Sequence, residues 1–306
     1  MDVNKVIRVI DLVPGSVCEL PRIEACKLTP DVFWNEYVRK HRPVIIKGGV
    51  SDWPAVTKWS ESGYLENIPS SERTRLSRTF NPVPPQVIRH AMHDCGIPEG
   101  LREMRSAPDD ATYSMPSIPV PKEWRKDLGD YPFLPSGRAK WPRNYPRQRL
   151  FIYRNASTEW HYHTMDETLT TQLSGAKRIS LIKLDASNWS SYRTIIESNL
   201  HHVSCASRFF PTNAQPKKYE GIIEQGDVAY IPPFWWHGVD PNDSMLGATL
   251  AFCFRSPIER VGKWRDPATM TMLSTGLRNM PRNVIRASTI AYSSVVRMAK
   301  GISWDE

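Results

Sequence analysis

Short stretches of β-branched and aromatic residues, separated by turn residues, fill the second half of the chain. Stretches of this length, bounded by turn residues such as Gly175 and Gly226, are typical of β-strands. The predicted strands are Leu150–Tyr153, a segment around residue 161, Thr168–Leu173, Arg178–Lys183, Gly221–Glu224, Asp227–Ile231 and Leu246–Phe254. Many short strands with few helices predict a small antiparallel barrel or jelly roll.

Two histidines in one of these strands, His161 and His163, are the first candidates for chemistry. Side chains alternate across a strand, so residues i and i+2 point to the same face. Two imidazoles on one face can bind one transition-metal ion. Asp166 and Glu167 follow and offer a carboxylate. Taken alone, such a histidine pair is more often a surface or core pair without a metal.

A third histidine, His237, ends the segment Gly226-Asp-Val-Ala-Tyr-Ile-Pro-Pro-Phe-Trp-Trp-His. The segment predicts a tight turn, a buried strand and a proline-bent corner that directs His237. Trp235 and Trp236 can exclude water around it, although core packing alone also explains a Trp-Trp-His sequence. Together with the upstream histidine pair, the segment favours a metal site.

Composition narrows the class of protein. The chain has 306 residues and a net charge of +8, with no run of about 18 apolar residues. We therefore expect no membrane span, and the charged N-terminus predicts no signal peptide. The five cysteines are scattered and include no C-x-x-C pair, which argues against a zinc finger or a disulfide framework. We expect a reducing compartment, the cytoplasm or the nucleus.

Three segments flank the predicted barrel at residues 148–256. Residues 1–79 are expected to pack on it, with a strand over Lys5–Leu12 and a helix that begins at Thr29-Pro30-Asp31. Residues 257–306 are expected to form two helices, at about Pro267–Leu277 and Asn283–Lys300. This helical pair is either a homodimerisation element or simple packing on the barrel.

Residues 80–147 hold 12 of the 26 prolines, so long elements are not expected there. Interleaved aromatic residues argue against disorder. We therefore predict an ordered, irregular insert that lines the substrate cleft. The segment from Lys122 to Arg149 contains eight Lys or Arg residues and only three Asp or Glu residues. This excess indicates a solvated basic face or, less commonly, a nucleic-acid groove.

The two histidine segments resemble the two cupin motifs. The residues that follow each of them, Gly175-Ala-Lys177 and the Trp-Trp-His end of the second, resemble the JmjC (Jumonji C) branch, whose small members are called cupin-like. Arg42-Pro-Val-Ile-Ile-Lys-Gly-Gly and Asp52-Trp-Pro-Ala are similar to the N-terminal part of such proteins. The resemblance covers roughly residues 30–60 and 148–256. It implies a mainly β fold with flanking helices, built around a double-stranded β-helix.

The resemblance also implies Fe(II) as the metal and 2-oxoglutarate as the cosubstrate. The first and last metal ligands of the family map to His161 and His237. Lys177 maps to the lysine that pairs with the distal carboxylate of 2-oxoglutarate, and Thr158 maps to a hydroxyl that assists it. The expected partner is a protein or tRNA substrate. Without the resemblance, Lys177 would be read as an exposed lysine at a strand end.

At the family's carboxylate position this chain has His163. One hypothesis is a metal site of His161, His163 and His237 with Glu167 as a fourth ligand. A second is that Asp166 or Glu167 takes the carboxylate role after a local bulge. A third is that iron affinity is lost. Ala251 also stands about where the family often has an asparagine.

Three functions follow from these hypotheses. The first is an Fe(II)- and 2-oxoglutarate-dependent oxygenase, in which the protein supplies ligands, orientation and a dry pocket. The second is a catalytically inactive cupin-like binding module. The third is a three-histidine cupin dioxygenase that needs no 2-oxoglutarate.

Overall fold

The computed structural model of the protein describes residues 8–83, 87–142, 145–163, 166–183, 215–243, 246–257 and 280–301. The strands are β1 Ser16–Glu19, β2 Arg22–Glu24, β3 Val44–Lys47, β4 Arg73–Val83, β5 Val87–Gly96, β6 Tyr113–Ile118, β7 Gln148–Arg154, β8 Thr158–His161, β9 Asp166–Ser174, β10 Lys177–Lys183, β11 Lys217–Ile223, β12 Val228–Ile231, β13 Trp235–Pro241 and β14 Gly247–Arg255. The helices are α1, which is α-helical over Pro30–Val32 and π-helical over Phe33–Val38, α2 Pro54–Lys58, α3 Tyr64–Asn67, α4 Ile97–Ser106 and α5 Met280–Ala299.

Two sheets face each other and form the predicted jelly roll. The five-stranded sheet has the order β1-β11-β10-β13-β8, and the nine-stranded sheet has the order β2-β3-β12-β9-β14-β7-β6-β4-β5. Except for the parallel pairs β1–β11 and β2–β3, neighbouring strands are antiparallel. The prediction of a mainly β fold with flanking helices, a double-stranded β-helix, is confirmed.

Strand β12 shows how one sheet serves two cores. Its residues alternate between the faces, as the pleat requires. Ala229 and Ile231 point between the sheets and join a cluster with Ile179, Leu181 and Val239. Val228 and Tyr230 point to the opposite face. On that face the nine-stranded sheet packs against the segment that carries α1 to α4. The N-terminal part therefore covers the outer face of this sheet, and the space between the two sheets is free for the site.

The first predicted strand, Lys5–Leu12, is wrong for the residues described. Ile10–Leu12 form a 3₁₀ turn. The backbone N–H groups of Val9 and Ile10 donate to the Asp240 carboxylate at 2.8 and 3.1 Å. These donors are satisfied by a side chain of β13, so the segment does not need a neighbouring strand.

Residues 80–147 contain longer elements than their prolines predicted. Strands β4 and β5, of 11 and 10 residues, form a hairpin that crosses the predicted boundary at residue 80. Helix α4 has ten residues. Pro98 lies in the first turn of α4, where a missing N–H costs nothing. Trp124 and Phe133 are buried, as expected of an ordered segment, whereas Trp141 is 68% exposed.

The second predicted C-terminal helix is confirmed by α5, and the first, Pro267–Leu277, lies outside the described residues. Among the residues described, none of the helices combines the length and the apolar character needed to span a bilayer.

Candidate metal centre

His161 and His237 lie side by side on two neighbouring strands of the five-stranded sheet. Strands β8 and β13 pair antiparallel with His237 opposite His161. Directly paired residues share a face, so both rings point between the sheets. Leu181 of the apolar cluster between the sheets pairs with His237 from the other side, which identifies this face as the interior. The pairing of β8 with β13 therefore brings the histidines of the two motifs together.

His163 joins them from just beyond the end of β8. Its backbone carbonyl accepts a hydrogen bond of 2.8 Å from the N–H of Phe234, a residue of the proline corner before β13. Phe234 has φ +60°, an uncommon backbone conformation for a residue with a side chain. The corner thus ties the loop after β8 to the start of β13 and places His163 beside His237.

The three imidazoles converge closely. Ring centroids are 4.2 Å apart for His161 and His237, 5.0 Å for His163 and His237, and 5.2 Å for His161 and His163. One ligand nitrogen from each ring lies within 4.8 Å of the others. A transition-metal ion about 2.1 Å from each nitrogen needs separations of roughly 3 to 4 Å. Small side-chain rotations therefore suffice for the three rings to share one ion.

Backbone carbonyls fix the tautomers of two of the rings. Nδ1 of His161 donates to the carbonyl of Glu159, and Nδ1 of His237 donates to the carbonyl of Trp235, each at 2.8 Å. A carbonyl can only accept, so these Nδ1 atoms carry the proton and Nε2 keeps its lone pair. Orienting a metal-binding histidine through its second nitrogen is the usual arrangement in metal sites.

Burial keeps His163 and His237 neutral. It lowers the pKa of His237 to about 4, and burial together with the neighbouring histidines places the pKa of His163 well below its usual value. Neutral imidazole is the form that binds a metal, so near pH 7 protons do not compete for these two residues.

The carboxylates expected nearby do not join this group. Glu167 accepts hydrogen bonds from Tyr230 at 2.6 Å and from Ser256 at 2.5 Å. Thr168, the next residue, bonds Nδ1 of His163 at 2.8 Å, and alternation along β9 therefore turns Glu167 to the opposite face. Asp166 accepts from the backbone N–H of Tyr145 at 3.3 Å. The expectation of Glu167 as a fourth ligand is not met, and neither carboxylate belongs to the converging group.

Lys177 lies inside the fold and is not the exposed strand-end lysine that its sequence alone suggested. The side chain is buried, and its ammonium sits 3.8 Å from the centre of the Tyr153 ring. Among the described residues no carboxylate pairs with it, and burial lowers its pKa to about 7. Thr158 pairs with the interior residue Val239 and so shares that face. The arrangement leaves a cation inside the jelly roll that an incoming carboxylate can neutralise.

Polar residues of the opposite sheet complete the interior, and the sequence reasoning missed them. Gln172 donates to the Tyr153 hydroxyl at 2.7 Å and accepts from Thr249 at 2.9 Å. Tyr153 lies in a predicted strand, but only the alternation of β7 and the pairing of β14 reveal that it faces Lys177. In sequence these residues resemble ordinary strand positions.

Gly247 is required for Tyr153 to lie where it does. A Cβ at this position would meet the Cζ atom of Tyr153 at 2.0 Å, so Gly247→Ala must displace the ring. We expect Gly247→Ala to lower the free energy of unfolding by about 1–3 kcal/mol, as overpacking typically does. Chemical denaturation measures it. In a Tyr153→Ala background the same glycine substitution should cost much less, and equal costs in both backgrounds would contradict the clash.

Comparison with known proteins gives a consistent result. A family model described as a cupin-like domain matches residues 30–259. The chain is 26% identical to Jumonji C domain-containing protein 5 of Drosophila melanogaster, over 73% of this chain and 57% of that protein. It is 24% identical to lysine-specific demethylase JMJ30 of Arabidopsis thaliana, over 78% and 58%. It is 22% identical to human tRNA wybutosine-synthesizing protein 5, over 77% and 78%. The chain thus spans less than two thirds of the first two relatives.

Proposed function

The chain belongs to the cupin-like (JmjC) domain family, and on that premise we propose that it is an Fe(II)- and 2-oxoglutarate-dependent oxygenase. The observation that carries the proposal is the convergence of His161, His163 and His237 inside a jelly roll that also holds the buried cation of Lys177. Imidazole nitrogens suit iron among other transition metals, and a lone ammonium suits a dicarboxylate.

The residues divide the work between metal and cosubstrate. The three histidines would hold the ion, and burial keeps His163 and His237 unprotonated. Fe(II), when bound, supplies the reaction with O2 and 2-oxoglutarate that oxidises the substrate. Lys177 would bind the distal carboxylate and carry a proton once that charge arrives, because an anion raises the pKa that burial has lowered. The Tyr153 ring, 3.8 Å from the ammonium, stabilises it by a cation–π contact.

Aromatic residues exclude water behind the histidine strands. The rings of Trp160 and Trp236 lie 4.8 Å apart, and both side chains are buried. The indole N–H of Trp160 donates to the carbonyl of Val9 at 2.7 Å, so its polar atom is satisfied. A dry wall of this kind strengthens the charge interactions on the other face of the same strands.

We propose a protein or a tRNA as the substrate. The relatives named above include a lysine-specific demethylase and a tRNA wybutosine-synthesizing protein. The test incubates the purified protein with Fe(II) and 2-oxoglutarate, with and without histone-type peptides or total tRNA, and measures succinate. We expect succinate above the level of the His237→Ala control. Retained iron with no succinate in any arm would overturn the proposal.

A second candidate is a three-histidine dioxygenase that does not use 2-oxoglutarate. It is favoured by the third position of the group, where a neutral imidazole stands instead of a carboxylate. Oxygen consumption distinguishes the two candidates. Consumption that depends on iron but not on 2-oxoglutarate, and that Lys177→Ala leaves unchanged, supports the second candidate.

We also propose that α5 mediates homodimerisation. Val284, Tyr292, Val295 and Met298 are each 56–68% exposed, and their spacing places them along one side of the helix. A charge inside such a contact is costly, so we expect Val295→Glu to convert a dimer into a monomer in light scattering coupled to size-exclusion chromatography. Lys300→Glu is the control. A wild-type protein that is monomeric at micromolar concentration contradicts this proposal.

A further inference from the structure

Strand β7 carries a second cation on the same face as Tyr153. Side chains at positions 149, 151 and 153 share a face because the strand alternates. Arg149 pairs with Ala251 on β14, whose small side chain leaves room for the guanidinium. Arg149 and Tyr153 are four residues apart, so their Cα atoms are separated by about 13 Å. Lys177 lies over Tyr153, and Arg149 occupies the other end of the strand.

The described contacts of the Arg149 guanidinium are aromatic rings and a thiol. Its Cζ atom lies 4.6 Å from the centre of the Tyr145 ring and 5.5 Å from that of Phe151. Nη2 lies 3.8 Å from Sγ of Cys253, and Nε is buried without a hydrogen-bond partner among the described residues. Burial raises the pKa of Cys253, so the sulfur is a neutral thiol and does not neutralise the guanidinium.

Arg149 is also close to the histidines. The Tyr145 ring that it covers contacts the His163 ring at 5.1 Å. The Cys253 sulfur lies 3.7 Å from Oγ1 of Thr168, the hydroxyl that bonds His163. The guanidinium therefore lies close to the proposed metal site, on the His163 side.

Imidazole ligands carry no negative charge to compensate a divalent ion, and Arg149 adds a further positive charge close to it. An anion at this point interacts favourably with both. We propose that Arg149 binds the carboxylate of the ligand that lies next to the metal, which is the carboxylate attached to the keto group of 2-oxoglutarate. This inference rests on the proposed function. A guanidinium suits the role because its fork of N–H donors matches a carboxylate.

The two cations then recognise different ends of one dicarboxylate. Lys177 takes the distal carboxylate, and Arg149 takes the carboxylate next to the keto group. Three ligands separate these contributions. The first, 2-oxoglutarate, has both carboxylates, whereas 2-oxopentanoate lacks the distal one and succinic semialdehyde lacks the one adjacent to the carbonyl.

The experiment measures binding of each ligand to Mn(II)-loaded protein by isothermal titration calorimetry. We expect Arg149→Gln to weaken 2-oxoglutarate and 2-oxopentanoate by about 10- to 100-fold, the usual value of a hydrogen-bonded charge. Succinic semialdehyde should bind Arg149→Gln and wild type equally. Lys177→Met should give the complementary pattern, with loss for 2-oxoglutarate and succinic semialdehyde only. Manganese content, measured separately, should not change in Arg149→Gln.

Arg147→Gln is the matched control, because that guanidinium lies over Phe252 and Trp141 outside the interior. Arg149→Lys keeps the charge without the fork and should bind 2-oxoglutarate with intermediate affinity, so the test stands even where the glutamine variant folds poorly. Equal 2-oxoglutarate affinity in Arg149→Gln and wild type overturns this inference alone. A loss shared equally by succinic semialdehyde overturns it as well. A wild-type protein that binds manganese but not 2-oxoglutarate overturns the proposed function too.

Discussion

The His237→Ala variant is expected to lose metal binding by more than about 100-fold. Groups that merely orient a metal-bound histidine are each worth roughly 10- to 100-fold in affinity, and His237 supplies a ligand itself. It is also central to the cluster, since its ring lies 4.2 Å from His161 and 5.0 Å from His163. The measurement is metal content after dialysis against Fe(II) or Mn(II), followed by competition with a chelator.

The control for this variant is His93→Ala. His93 lies on the exposed strand β5, where its ring pairs with Glu103 at 3.2 Å. We expect this variant to keep the wild-type metal content. A His237→Ala protein that folds and retains a full equivalent of metal would show that the three histidines are not the site. The metal content of His163→Ala should lie between those of His93→Ala and His237→Ala if two imidazoles and an additional protein oxygen hold the ion.

The histidines were predictable from sequence because their geometry depends on rules that act over short distances. Alternation along a strand places His161, and the proline corner after Gly226 places His237. The pairing of β8 with β13 could not be read from either segment alone, since it joins residues 76 positions apart. The resemblance to a known family supplied that long-range information.

Alternation along a strand also explains why Glu167 lies away from the histidines. A shift of one residue turns every side chain of a strand to the other face. Strand β9 begins at Asp166 and directs Thr168 to His163, so Glu167 points toward Tyr230. The sequence between His163 and Thr168 does not reveal where the strand starts. Proximity along the chain was therefore a poor guide to proximity in space.

The strands and turns of the barrel were predicted well because they follow local rules. The lengths of the elements in residues 80–147 were predicted poorly, because the number of prolines says less than the position of each proline. Prolines in residues 80–147 argued against long elements, yet Pro98 lies in the first turn of α4 and Pro116 lies inside β6. Arg149 and Tyr153 were missed as site residues for a different reason. Which face of β7 points inward depends on its pairing with β14, and no local pattern records that.

Replacing Lys177 by methionine is expected to stabilise the protein and to prevent 2-oxoglutarate binding. Methionine has a similar length and no charge, so the variant removes the desolvation that lowers the pKa of Lys177 to about 7. We expect a gain of a few kcal/mol in the free energy of unfolding, because a buried charge without a carboxylate partner is costly. The affinity for 2-oxoglutarate should fall by about 100-fold or more. Stability and function would thus oppose each other at this residue.

The stability difference between Lys177→Met and the wild type should depend on pH. Unfolded Lys177 has a pKa near 10.5 and the folded residue one near 7, so the unfolded chain binds the proton more tightly. The wild-type protein therefore loses stability as the pH falls from about 10.5 to about 7, and the penalty is complete below that. The advantage of Lys177→Met should be largest at pH 7 and shrink toward pH 10, as measured by urea unfolding. Lys183→Met, at the exposed end of the same strand, should show no such trend. A variant that is less stable than wild type at pH 7 would mean that Lys177 has a carboxylate partner in the folded protein, and the dicarboxylate site would lose its basis.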